Sequence, residues 1–384
     1  MPPVKIALFT PFSPATGGGG VIFRSILPHL AGAEIQWFYL HHSSVDMPST
    51  KYLGPRLMGG PPLKDALNTF RLFSMQSHSE VDGCVRAILE WSPDIVWINA
   101  MNEGVLVGKK LLDAGIRHLH VSVHDDPAGL ADKSTRYRAF SSLMDRRTNE
   151  LLQRAHSVDV VCDSMQSYYK RRIGINSGIV FRYINDVNSR PLESAGPPDA
   201  AGTIQIGHVG SAYSAPEVFA FVSALRNIAN KDGLRFHLTN FGISPAMTVA
   251  QKKFPDIVEN VGNIPEPQVI QRLQNYAFVY SMYSFNPRHR IFRETSQPTK
   301  MSTYLMAGRP ILAHCPEGSS TIAMLQKFKL GHVVTSMEAS SIEAAVRKIL
   351  KFRVDREEIS RAAEYYCGQR NLDYLKGVFR LGVQ

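Results

Sequence analysis

Short apolar runs with no helical period alternate along the chain with stretches that place an apolar residue every three or four positions. VKIALFT at residues 4–10 has the unbroken apolarity of a strand buried on both faces, and the spacing of Ile22, Ile26 and Leu27 predicts a helix over 21–30. Further strands are predicted at 35–40, 94–99, 116–123 and 158–162, with helices at 81–91, 103–114, 134–155 and 165–172, the last capped by Asp163 and Ser164. Residues 190–202, rich in Pro, Gly and Ala, have no apolar period and form the best linker candidate. Beyond them the pattern restarts, with strands at 203–209, 235–240, 258–261, 278–283, 311–314 and 332–335. Helices are predicted at 218–228, 266–275, 319–328, 341–352 and, at the end, 356 to about 379. Strictly alternating strands and helices imply parallel sheets covered on both faces. The expected fold is α/β, two tandem Rossmann-like domains with a substrate cleft between them. Residues 1–190 form the first domain, 191–202 the linker and 203–367 the second, with the last helix, 368–384, packing back on the first.

In such sheets ligands gather at the carboxyl ends of the strands. Gly17, Gly18, Gly19 and Gly20 follow the first strand, and His41, Asn99 and His124-Asp125 follow later ones. The glycines let backbone N–H groups approach a phosphate, although four in a row also suit a merely mobile loop. His124 sits beside two carboxylates that can fix its tautomer or raise its pKa. The same cluster admits two other readings: a hard-metal site, which needs more oxygen ligands than it guarantees, or Asp125 or Asp126 capping the next turn.

The chemistry concentrates in residues 288–312, where a basic, polar loop containing Arg288, Arg290 and Arg293 runs into QPTKMSTYLMAGRPIL. Pro298 suits the first turn of a short helix and Gly308 the position just past its end. The N–H groups of that turn, with Thr299 and Lys300 beside them, make an anion site fed by the positive helix end.

Length and charge narrow the field. The 384 residues suit about two domains, and a net charge of +10 favours anionic partners. No long Lys/Arg run marks a nucleic-acid tail, so no nucleic-acid partner is expected. The four cysteines, Cys84, Cys162, Cys315 and Cys367, lie far apart, which argues against a disulfide framework or zinc site and for a reducing cytoplasm. No stretch reaches the ~20 apolar residues of a membrane span, so any membrane contact is peripheral. Neither half carries G-x-G-x-x-G with an acidic residue about 20 positions on, which argues against a dinucleotide oxidoreductase.

With Pro298, Lys300, Gly308 and Pro310 at their spacing, residues 297–312 resemble the donor-binding segment of GT-B glycosyltransferases, especially the large retaining group with the E-x7-E type motif. The supporting pieces stand in the expected order: the glycine stretch, a His after a middle strand, GHVGS at 207–211 and VGNI at 261–264. The resemblance implies that Lys300 neutralises the diphosphate of a nucleotide-sugar, with Pro298, Thr299 and Ser296 around it. It implies that Gly210 and Ser211 approach the same diphosphate, that Asn263 and Ile264 meet the base, and that Phe241 and Gly242 line that pocket. Gly17, Gly18 and Gly19 close over the phosphates, and His124 contacts the donor sugar.

The sequence departs from the motif where its carboxylates belong. Thr303 stands for the second glutamate, which usually holds the ribose, and the first falls on Thr295 with Glu294 adjacent. A one-residue shift lets Glu294 serve. The family's small Ala two residues before the Gly is Met306 here, and the Arg-x4-Lys phosphate pair expected after Val209 is absent. Arg290 and its neighbours either supply that charge or belong to a solvated basic loop.

The expected function is metal-independent, retaining transfer, with no obligatory cofactor, from a UDP- or GDP-sugar as co-substrate to a carbohydrate, lipid-linked or other small acceptor in carbohydrate biosynthesis. His124, Glu294 and Lys300 would act in catalysis. The loops at 43–65 and 128–136 are the acceptor candidates. The alternatives are a catalytically weak GT-B binding or assembly protein and a nucleotide-sugar epimerase on the same fold.

Overall fold

Each half of the chain builds one parallel sheet around strands that are apolar on both faces. The computed structural model describes residues 2–15, 17–185 and 202–381. They divide into two compact units, one of Met1–Ile184, Arg288–Gln297 and Tyr366–Gln384, the other of Asn185–Pro287 and Pro298–Tyr365.

In the first unit the strands are β1 (Val4–Thr10), β2 (Ala33–Leu40), β3 (Thr50–Gly54), β4 (Ile95–Asn99), β5 (Leu119–Val123), β6 (Ser157–Val160) and β7 (Gly178–Ile179). Their order is β3-β2-β1-β4-β5-β6-β7, with every ladder parallel. In the second unit β8 (Thr203–Val209), β9 (Arg235–Phe241), β10 (Val258–Gly262), β11 (Phe278–Met282), β12 (Ile311–His314) and β13 (Gly331–Val334) take the order β10-β9-β8-β11-β12-β13. Both sheets therefore reverse direction beside their first strand, at β1/β4 and at β8/β11, where doubly wound sheets open a crevice for ligands. β4, β5, β11 and β12 are buried along their whole lengths, as strands covered on both faces must be.

Polar residues on these buried strands are paired. On β5, His120 Nε2 and Ser122 Oγ each lie 2.6 Å from the Asp159 carboxylate of β6, and Trp97 Nε1 donates to Ser122 Oγ at 2.7 Å. The helix Gln369–Val378 covers this network: Phe379 packs on Trp97 and His120, and the Tyr374 hydroxyl donates to Val158 O at 2.8 Å.

Several local expectations change. The glycines at 17–20 are no loop; they form the first turn of the helix Gly17–Ile26. A Cβ on Gly19 would lie 2.5 Å from the Phe12 ring, so this glycine serves close packing of the preceding turn. The expected helix over 134–155 begins only at Ser141 and runs to Arg154; a 3-10 turn at Arg138–Phe140 precedes it, and a separate helix, Pro127–Lys133, lies before that. Asp163 does not cap its helix. It lies inside Asp163–Ile173, and its carboxylate accepts from the Tyr366 hydroxyl at 2.8 Å. The stretch 43–65 contains β3 and the start of the helix Pro62–Phe70 rather than open loop. The final helix breaks at Gly368 into Arg356–Cys367 and Gln369–Val378. Of the proposed linker at 191–202, only Gly202 is among the described residues.

Candidate functional site

In the second unit the candidate residues gather where β8, β9 and β10 end. Gly210 N donates to Phe241 O at 2.7 Å, and Gly242 N to Gly262 O at 2.8 Å, so the three strand ends are tied side by side. Gly242 has φ +131°, and a Cβ there would stand 2.8 Å from the Gly210 Cα. No other residue meets both conditions without strain. Gly242→Ala is therefore expected to destabilise the protein by about 1–3 kcal/mol, read as a melting temperature lowered by several degrees. An unchanged melting temperature would show that the turn relaxes.

Lys300 begins the short helix Lys300–Ala307, which Gly308 ends in the left-handed conformation at φ +66°. Its side chain is buried. Nζ donates to Ser211 O at 2.7 Å, lies 3.1 Å from His208 Nε2, and stands 5.3 Å from the centre of the Tyr213 ring. His208 Nδ1 lies 2.9 Å from Tyr280 O. A carbonyl only accepts, so Nδ1 carries the proton and Nε2 is the acceptor for Lys300. Two of the three ammonium N–H groups are thus engaged among the described residues, and one remains for a ligand. Burial pushes the Lys300 ammonium down to about 7, and burial with the neighbouring lysine holds His208 well below its usual value. The pair amounts to one cation, stored with little surrounding water beside the Gly210 turn.

The helix start differs from the expectation. Thr299 is the N-cap and Pro298 precedes it. The N–H groups of Met301 and Ser302 already donate to Pro298 O at 2.9 Å and Thr299 O at 3.1 Å. Anion binding here rests on the ammonium more than on these amides. The Ser211 hydroxyl donates to Ile243 O at 3.1 Å, and the Phe241 side chain is buried, so these two residues face the turn chiefly through backbone. Asn263 is exposed and Ile264 half-buried in the turn after β10.

Thr303, at the position where the resemblance led to the expectation of a glutamate, donates its hydroxyl to Glu266 Oε1 at 2.8 Å. Glu266 opens the helix Glu266–Leu273 directly after the Asn263–Ile264 turn. A carboxylate is thus present beside position 303, brought in from another helix. A second one, Glu217, is buried in the first turn of the helix Ala215–Asp232. Its Oε1 accepts from Phe285 N at 2.6 Å, while its Oε2 has no partner among the described residues. Sequence reading missed both, because an acid in the first turn of a helix ordinarily serves only the helix dipole.

The first unit holds the remaining candidates. Residues 288–297, expected as a basic loop, form a 3-10 turn and the short helix Arg290–Thr295. Arg290 and Glu294 face each other across 3.9 Å on its exposed side, a weak i,i+4 pair. Thr295 is fully buried. Its hydroxyl donates to Ile291 O at 2.7 Å, and its carbonyl accepts from Cys162 Sγ at 3.1 Å. Of the two alternatives for the first motif glutamate, Glu294 alone presents a solvent-facing carboxylate. Ser296 is buried at the end of this helix.

His124, just past β5, packs on Phe23 with ring centroids 4.9 Å apart. Its Nδ1 is buried without a hydrogen-bond partner among the described residues. Burial lowers its pKa against the pull of Asp159 and Asp125, leaving a neutral imidazole with an unsatisfied nitrogen. Asp126 is the structural residue of the trio: it caps Pro127–Lys133 by accepting from Gly129 N at 2.6 Å, and it also accepts from the Tyr169 hydroxyl at 2.6 Å. Gly17 starts its helix at φ +75°. Among the described residues no group of three or more His, Cys, Asp or Glu is arranged to hold a metal.

Known structures share this fold. Over 98% of both chains, the protein is similar to a sucrose-phosphate synthase from Thermosynechococcus elongatus, at a TM-score of 0.66 and 13% identity. It is also similar to the lipopolysaccharide outer core galactosyltransferase WaaB, at 0.63 and 13%, covering 98% of this chain and 99% of that one. A structure described as a UDP-N-acetylglucosamine 2-epimerase from Listeria monocytogenes gives 0.61 and 12%, covering 99% and 98%. No protein-family model and no curated protein matches the sequence. Likeness at this identity shows the fold, two parallel α/β domains of the GT-B type.

Proposed function

We propose that the protein is a glycosyltransferase that moves a sugar from a UDP- or GDP-sugar to a carbohydrate, lipid-linked or other small acceptor, with retention and without an obligatory metal. One observation carries this reading: the buried Lys300 ammonium, held by His208 and the Ser211 carbonyl beside the Gly210–Gly242 turn. Breaking a sugar–phosphate bond loads negative charge onto the departing diphosphate. A cation already fixed in a poorly solvated place stabilises that charge without reorganising, which is the usual source of the largest catalytic contribution. The Gly210 N–H is already taken by Phe241 O, so the diphosphate rests chiefly on the ammonium, and the turn at Asn263 and Ile264 offers backbone groups to the base.

In this reading Glu266 takes over ribose binding from the position occupied by Thr303. Glu266→Gln is expected to weaken a nucleoside diphosphate about tenfold and leave inorganic pyrophosphate, which has no ribose, unchanged. Equal losses for both ligands would remove Glu266 from the ribose. His124 contacts the donor sugar through its unsatisfied nitrogen, Gly17, Gly18 and Gly19 stand over the phosphates, and Glu294 with Arg290 supplies the remaining charged contacts.

The assay is incubation with a panel of nucleotide-sugars and acceptors, with and without EDTA. Transfer that survives chelation supports the proposal, and transfer abolished by EDTA overturns the metal-free mechanism. The epimerase-type structure among the similar folds motivates a second reading, separated by product analysis with donor alone: an epimerised nucleotide-sugar formed without acceptor favours it.

A further inference from the structure

The helix Pro62–Phe70 is built inside out. Its buried residues are Asp65, Asn68 and Thr69, while Leu63, Leu67 and Phe70 are 88%, 49% and 47% exposed. Positions 63, 67 and 70 follow the i, i+4, i+7 spacing of one helix face, and Met75, just beyond, is also exposed. Scattered surface leucines need no explanation, but a helix that turns its whole apolar face to water does.

The inward polar face shows that this orientation is built. The Asp65 carboxylate accepts from Gly59 N at 2.9 Å, the Tyr137 hydroxyl at 2.7 Å and Arg136 Nη1 at 3.2 Å. Asn68 Nδ2 donates to Leu57 O at 2.7 Å, and the Glu103 carboxylate accepts from Leu57 N and Met58 N at 2.8 and 2.9 Å. Rotating the helix to hide its leucines would strip these buried groups of their partners, at a cost the apolar contact could not recover.

Within residues 51–71 the solvent-facing charges have one sign. Lys51, Lys64 and Arg71 are exposed and Arg56 is half-buried, while the only carboxylate between residues 51 and 71, Asp65, is fully buried in its ion pair with Arg136. An apolar stripe whose own segment exposes only cations, with Glu150 near its far end already paired to Lys109 and Arg147, matches a surface that offers acyl chains beneath negative headgroups. No described helix is long and apolar enough to cross a membrane, so the contact is one of lying in the interface.

We propose that this face docks the protein on a bilayer surface rich in anionic lipid, with Leu63, Leu67 and Phe70 entering the headgroup boundary and Lys64 and Arg71 meeting the phosphates. The inference is independent of the donor site and stands or falls separately from it.

The test is co-sedimentation of the full chain with vesicles of phosphatidylcholine, with and without phosphatidylglycerol, at low and high salt. Binding to the anionic vesicles that weakens with salt is expected. The triple variant Leu63→Ser, Leu67→Ser, Phe70→Ser should lose more than about a hundredfold of it. Lys64→Glu with Arg71→Glu should lose at least about thirtyfold. All five side chains are exposed, so melting temperatures should stay at the wild-type value. No binding by the wild type, binding indifferent to the apolar substitutions, or binding indifferent to charge reversal and salt would each overturn the proposal. A concentration-dependent dimer in sedimentation velocity, abolished by the triple variant and without vesicle binding, would also overturn it by giving the face to a second copy.

Discussion

Lys300→Met should lower kcat by about 10²–10³, roughly 2.7–4 kcal/mol of transition-state stabilisation, while the protein stays folded. Methionine has nearly the length of lysine and suits a buried site; Ser211 O is only partly buried, while the fully buried His208 Nε2 loses its donor, so a modest fall in melting temperature accompanies the variant. The loss should fall on kcat and kcat/KM together, because the charge on the diphosphate is greatest when the sugar has departed. A rise in KM with kcat unchanged would mean that Lys300 only holds the donor in the ground state. Equal kcat and KM in wild type and variant would remove Lys300 from the mechanism.

Binding of a nucleoside diphosphate should weaken about tenfold per pH unit as pH rises above about 7. The sign follows from the Lys300 pKa, which burial pushes down to about 7, far below the ordinary lysine value. Above that pH the empty site has lost its ammonium, and a polyanion must recover the proton to bind. Below it the ammonium is already present and affinity levels off. The terminal phosphate titrates near pH 6, below this window, and His208 is held well below its usual value, so neither changes charge as Lys300 does. In Lys300→Met the slope between pH 7 and 9 should vanish. A slope of the same size in the variant would assign the titration elsewhere.

Fold and site were legible to different depths. Parallel strands announce themselves as short, continuous apolar runs, and β1, β4, β8, β11 and β12 all stand close to where those runs lie. β3 and the helix Pro62–Phe70 did not, since an edge strand is half-exposed and an inverted helix turns its polar residues inward. The glycines at 17–20 misled because glycine more often marks a loop than a helical turn. Among the candidate site residues, the spacing of residues 297–312 singled out Lys300, and the resemblance singled out the turns at Gly210 and Gly242, which lie close together in the second unit. The partners of Lys300 and Thr303 were beyond it, because His208 and Glu266 lie far from them in sequence and meet them only through sheet order. A carboxylate thus lies beside position 303 that no spacing within residues 288–312 could reveal. Glu294 and Thr295 could be separated only by which side of the short helix Arg290–Thr295 faces solvent.

A crystal structure of the protein with a bound nucleoside diphosphate tests the central claim most directly. The diphosphate should place an oxygen within about 3 Å of Lys300 Nζ, against the Gly210–Ser211 turn, with the base at Asn263–Ile264 and the ribose at Glu266. A diphosphate seated away from Lys300, or no nucleotide bound at millimolar concentration, would contradict it.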